Sequence, residues 1–148
     1  MERQYDYRNE KYFLDLLTHA DNVIRTRAIC ILADISDEDS VYHISNVLKN
    51  DKDQLVRHEA AFSLGQLGFT SAIDALSEAL SSDSSFFVRH EAAIALGVIG
   101  SENAREALEK ALDDGSEEVR QSADVALANI DYISTVKRSN KFIKMTGG

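Results

Sequence analysis

A dipeptide of one branched aliphatic residue and one arginine, Ile24-Arg25, Val56-Arg57, Val88-Arg89 and Val119-Arg120, recurs at intervals of 32, 32 and 31 residues. Three residues beyond each arginine stands an alanine (Ala28, Ala60, Ala92, Ala123). Four further on come Leu32, Leu64, Leu96 and Leu127, and three more bring Ile35, Leu67, Ile99 and Ile130. This is the i, i+3, i+4, i+7 stripe of an amphipathic helix, repeated four times. A second stripe, Leu16, Leu48, Leu80 and Leu112, has the same period and marks another helix per unit. Two helices in about 32 residues bury their apolar stripes only by stacking on neighbouring units, so the period dictates an all-α solenoid of four helix pairs.

We label the helices A and B within each unit. The B helices are predicted at roughly 24–35, 54–67, 86–99 and 117–130, with a further helix somewhere in 131–144. Polar stretches join A to B: NDKD before Leu55, SSDSS before Phe86 and DDGS before Glu117. Their Asp and Ser side chains suit the free N–H groups of a first helical turn. Gly68 and Gly100 stand where B helices stop, and the absence of proline leaves every helix unbroken. In these features the chain resembles HEAT-like repeat proteins over about residues 10 to 131. The repeat domain is assigned to 1–131, with atypical capping units at both ends, and a basic tail to 132–148.

With 148 residues, 44% of them hydrophobic, there is material for one packed domain. The single Cys30 excludes an internal disulfide, and no apolar run approaches the roughly 20 residues of a membrane span. MERQYDYRNEKY is too polar for a signal peptide, so the expectation is a soluble, cytoplasmic protein without membrane contact. The net charge of −9 opposes nucleic acid and favours a basic partner. Residues 131–148 hold Lys137, Arg138, Lys141 and Lys144 against Asp131 alone, giving +3 on a body of −12. Such a tail either packs on an acidic face, its own or a neighbour's, or stays solvated. The terminal Gly147-Gly148 is read as without a role.

Packing does not explain the two residues after each arginine. They read Thr26-Arg27, His58-Glu59, His90-Glu91 and Gln121-Ser122, so a His-Glu pair is confined to the two central units. Side-by-side B helices place His58, Glu59, His90 and Glu91 on one surface. Gly65 and Gly97 follow on the same helices, where the outer units carry Ala33 and Ala128. Glycine inside a helix costs about 1 kcal/mol against alanine, and two explanations are open: close helix packing, or clearance for a group bound beside the histidines. Imidazole plus carboxylate suits a divalent transition metal, either iron in an open site or zinc. HEAAF and HEAAI are not HExxH, and no phosphate loop, nucleophile elbow or Cys pair is present. His19 and His43 lie outside the array and are read as surface or packing residues.

From LVRHEAAFSLGQLG through FFVRHEAAIALGVIG to EEVRQSADVALANIDYI, the chain resembles one half of deoxyhypusine hydroxylase, a HEAT-repeat di-iron monooxygenase family. The family has two four-repeat halves, each with His-Glu in its second and third units; this sequence has that arrangement once. The resemblance implies that His58, His90 and Glu91 bind iron. It also implies that Glu59 lies at the catalytic site and helps hold the cationic side chain of the substrate, a modified lysine on translation initiation factor 5A. One chain supplies half of the expected ligands, which implies a homodimer, concave faces together, with two iron ions. The alternatives are a HEAT-like interaction scaffold with no metal or a structural one, and a mononuclear metal enzyme acting on another substrate.

Overall fold

The computed structural model describes residues 1–145; the Gly147-Gly148 pair lies outside the described residues. Helices α1 (Glu2–Asp6) and α2 (Glu10–Leu16) open the chain, followed by α3 (Asn22–Ile35), α4 (Asp39–Asn50), α5 (Gln54–Leu67) and α6 (Ile73–Ser82). Then come α7 (Phe86–Ile99), α8 (Arg105–Ala111) and α9 (Glu117–Met145), with short 3-10 turns at Thr70–Ala72 and Glu102–Ala104. No strand occurs among the described residues. The even helices form an A layer and α3, α5, α7 and α9 a B layer; each A helix packs on its B partner, the B helices pack in succession, and α4, α6 and α8 do so in the A layer. The fold is the all-α solenoid that the period predicts, with B helices within a residue or two of the expected starts.

The core lies between the layers. Ala28, Leu32, Ala60, Leu64, Ala92, Leu96, Ala123 and Ile130 are buried from the B side, and Ile44, Leu48, Leu76, Leu80 and Leu108 from the A side. The A-layer leucine stripe holds only in the central units. Leu16 is half-buried while its neighbour Leu17 is buried, and Leu112 is 39% exposed beyond the end of α8. The terminal units lack an outer neighbour to cover those positions.

Each B helix enters through a ladder of charged groups. Arg25 gives Nε and Nη2 to the Asp51 carboxylate at 2.8 and 3.0 Å, and Arg57 repeats this on Asp83 at the same distances. Arg89 does so on Asp114 at 3.0 and 3.2 Å. The third prong of Arg57, Arg89 and Arg120 donates to the backbone carbonyls of Asp51, Asp83 and Asp114. Each aspartate therefore joins two successive units, which accounts for the recurring arginine.

Gly68 and Gly100 cap α5 and α7 with φ of 74° and 70°, the left-handed conformation that glycine adopts freely. At the matching place unit four has Asp131. Without that cap the helix continues, so the predicted further helix is the distal half of α9 and not a separate element. Ile133 packs over the bare Cα of Gly100, and Arg105 ties Glu102 to Asp131 at 2.8 and 2.6 Å. Ser134 adds a hydrogen bond to Glu102 at 2.8 Å. These contacts carry α9 across the end of the array.

Candidate functional site

The His and Glu side chains of one unit do not pair with each other; the histidines reach forward to the next B helix and the glutamates back to the preceding one. His58 on α5 reaches Glu91 on α7, with Nε2 3.1 Å from Oε2. The imidazole is stacked on the Phe87 ring, centroids 4.2 Å apart and planes 11° from parallel. Glu91 retains only 8% exposure, so its carboxylate lies between the two helices with His58 as its partner. One helix further, His90 Nδ1 lies 2.6 Å from Ser122 Oγ and 3.3 Å from the Glu118 carbonyl oxygen of α9. Towards the other end, Glu59 accepts hydrogen bonds from Cys30 Sγ at 3.0 Å and Ser63 Oγ at 3.2 Å. Loss of water around the Cys30 thiol, reinforced by the Glu59 hydrogen bond and charge, pushes its pKa up to about 12. The thiol is thereby held in its protonated form, donating to Glu59.

Two donors bound at right angles, each about 2.1 Å from one ion, lie about 3.0 Å apart. The His58–Glu91 separation of 3.1 Å fits that bite. His90 is held apart from this pair by its contacts with α9, and no group of three His, Cys, Asp or Glu side chains able to hold an ion forms within one chain among the described residues. Of the four sequence-predicted residues, the fold thus brings His58 and Glu91 into contact, sets His90 on the next helix, and ties Glu59 to α3.

The glycines belong to packing. A Cβ built on Gly65 meets Ala95 Cβ at 2.8 Å and its Cα at 2.9 Å, and one on Gly97 meets Ala126 at the same two distances. The B helices approach backbone to backbone there, which decides between the two explanations in favour of close packing. Phe62 on α5, Ile94 and Val98 on α7 and Val125 on α9 are exposed apolar side chains of the B layer. Between α7 and α9, Ile94, Val98 and Val125 border a groove of about 410 Å³ with Ser122 and Asn129 on its wall. His19 and His43 are exposed and far along the chain from the array, as expected.

Four participants were not singled out from the sequence: Cys30, Ser63, Phe87 and Ser122. Ser122 carried a usable signal, since it occupies in unit four the register of Glu59 and Glu91. Cys30, one turn past the Thr26 register, and Phe87 carried none beyond position on a B helix.

No helix of the described residues is long and apolar enough to cross a membrane. Curated proteins contain no sequence match to the chain. Among solved structures, human deoxyhypusine hydroxylase is 31% identical with a TM-score of 0.77, over 84% of this chain and 44% of that one. The chain therefore spans less than half the length of that enzyme. The complex of CpcE and CpcF of phycocyanin lyase from Nostoc shares the fold at 23% identity and a TM-score of 0.72, over 90% of this chain and 57% of that one. An engineered protein follows at 26% identity and a TM-score of 0.57, with 82% and 62% covered. The family model of HEAT repeats matches residues 43–128, well over half of the chain, and with the stacked helix pairs it places the protein in the HEAT-repeat family.

Proposed function

We propose that the chain is a di-iron monooxygenase of the deoxyhypusine hydroxylase type, working as a homodimer on a modified lysine side chain of a basic protein. The observation that carries this reading is the His58–Glu91 pair, 3.1 Å apart across α5 and α7. It lies in a chain 31% identical to human deoxyhypusine hydroxylase. His58, His90 and Glu91 serve as ligands, and a facing copy completes the set with two iron ions per homodimer. When bound, iron supplies the redox chemistry by which dioxygen oxidises a C–H bond.

The remaining work falls to this chain's own groups. Phe87 holds the His58 ring by stacking, which fixes the direction of Nε2. Glu59 is steadied by Cys30 and Ser63, both on Oε1, and its carboxylate charge suits the ammonium of a modified lysine. Phe62, Ile94, Val98 and Val125 offer apolar surface to the methylenes of that side chain and displace water from the site. The net charge of −9 favours approach to a basic partner protein.

Two observations favour a second reading: Glu91 is already satisfied by His58, and the helix glycines are accounted for by packing. On that reading the chain is a HEAT-repeat interaction scaffold, or a mononuclear metal enzyme with another substrate. Iron content after anaerobic loading separates the metal-binding readings from the scaffold, and the oligomeric state of the loaded chain separates the di-iron homodimer from a mononuclear enzyme. The oxygenase reading expects one iron per chain, lost in His58→Ala and in His90→Ala while the helical circular dichroism stays. Full metal in both variants overturns the ligand assignment, and no iron in the wild-type protein leaves the scaffold.

A further inference from the structure

His58 and His90 occupy the same register of successive units, yet opposite ring nitrogens hold them. His58 is engaged at Nε2 by Glu91, at 3.1 Å. His90 is engaged at Nδ1, 2.6 Å from Ser122 Oγ and 3.3 Å from the Glu118 carbonyl oxygen. The cause is the change of residue in unit four, where the glutamate register holds Ser122. The serine oxygen sits on Cβ, close to its helix, and so meets the ring nitrogen nearer the backbone of His90. Ser122 is itself buried, which fixes that oxygen against α7.

The protonation of the ring follows from what these partners can do. A backbone carbonyl only accepts, so a hydrogen on Nδ1 satisfies both contacts as one shared donor, the Ser122 hydroxyl accepting at 2.6 Å and the Glu118 carbonyl at 3.3 Å; with Nδ1 bare, the hydroxyl would donate and the carbonyl would face a lone pair. A neutral His90 then carries its lone pair on Nε2, which makes no hydrogen bond among the described residues. We propose that Ser122 is a positioning residue that, with the Glu118 carbonyl, holds neutral His90 as the Nδ1–H tautomer and so makes Nε2 its coordinating nitrogen. Its use in coordination rests on the metal reading above; the tautomer does not. Partners of this kind on the ring nitrogen away from a metal orient the imidazole and raise its basicity.

The test uses the metal-free full chain labelled with 15N-histidine, at a pH well above the imidazole range, with His90 assigned by comparison with His90→Gln. Long-range 1H–15N correlation should show His90 with a pyrrole-like Nδ1 and a pyridine-like Nε2 in the wild type and in Ser122→Thr. In Ser122→Ala, where only the longer 3.3 Å contact with the Glu118 carbonyl is left on Nδ1, the population should move part of the way towards the Nε2–H form. Cobalt(II) titration should show the Ser122→Ala affinity falling about 10- to 100-fold with Ser122→Thr close to wild type. A wild-type His90 in the Nε2–H form, or a tautomer unchanged in Ser122→Ala, overturns the proposal. The expected tautomers in a wild-type chain that binds no cobalt uphold the role of Ser122 and defeat the metal reading instead.

Discussion

Arg57 grips Asp83 by Nε and Nη2 at 2.8 and 3.0 Å, across the boundary between units two and three. Both side chains are nearly buried, at 12% and 7% exposure. The two-pronged geometry fits a guanidinium and no other side chain.

Replacing Arg57 with Ala leaves the Asp83 carboxylate buried without its partner, a change that costs about 3–5 kcal/mol in comparable pairs. A chain of this size loses about 2–4 °C in Tm per kcal/mol, so the thermal midpoint by circular dichroism should drop by about 10 °C. Arg57→Lys should recover little, because an ammonium cannot serve both carboxylate oxygens and the Asp51 carbonyl together. A midpoint within 2 °C of wild type in Arg57→Ala contradicts the ladder's role.

The last rung makes stability depend on acid. Burial alone would raise the pKa of Asp114, but the Arg89 hydrogen bonds and the Ser116 N–H outweigh it and leave the carboxyl below its usual value. A group depressed in the folded state contributes stability that is present above its unfolded value, about 3.9, and lost as pH falls through the folded value. Asp53, held down first by Asn22 and then by the Leu55 N–H, acts in the same direction. Urea midpoints should hold from neutrality to about pH 4 and fall below it. Asp114→Asn should be weaker at pH 7 yet lose less on going to pH 3; an undiminished acid loss would remove Asp114 from the account.

The period, the helix pairs and the glycine caps could be read from the sequence because each depends on residues close in the chain. What escaped depends on the next unit. The aspartates at 51, 83 and 114 follow the arginines at nearly the same interval, but their pairing is 25 or 26 residues apart and needs the A–B loops folded over. The same holds at the site: His58-Glu59 and His90-Glu91 look like two local pairs, whereas the contacts run diagonally, His58 to Glu91 and His90 to Ser122. The helix glycines were ambiguous because sequence shows a missing side chain without showing what fills its place.

Gly97→Ala tests the packing explanation directly. The new methyl would stand 2.8 Å from Ala126 Cβ and 2.9 Å from its Cα, which are parts of a helix that cannot move without separating α7 from α9. Overpacking of this kind costs about 1–3 kcal/mol, against about 1 kcal/mol gained in helix propensity. The expected result is a lower urea midpoint. Gly115→Ala, where an added Cβ meets nothing within 4 Å, should leave the midpoint nearly unchanged. A stabilised Gly97→Ala chain would restore the idea that the space exists for a ligand.

Assembly and metal binding should be linked if the proposed function holds. A twofold dimer with B layers facing would gather four histidines and four glutamates from registers 58, 59, 90 and 91, and closed twofold symmetry is the commonest arrangement of identical chains. The facing surface has an apolar component in Phe62, Ile94, Val98 and Val125, whose burial favours association. Its carboxylates oppose association while the ligand set is empty, and divalent cations shared between the copies offset that repulsion. Each process must then strengthen the other by the same factor. Light scattering over a dilution series should show the iron-loaded wild type as a dimer that dissociates at lower concentration than the metal-free chain. His58→Ala should behave alike with and without iron, because it lacks a ligand on each copy. A wild type that remains monomeric with iron, at concentrations where iron is bound, would sink the homodimeric oxygenase and leave the mononuclear enzyme or the scaffold.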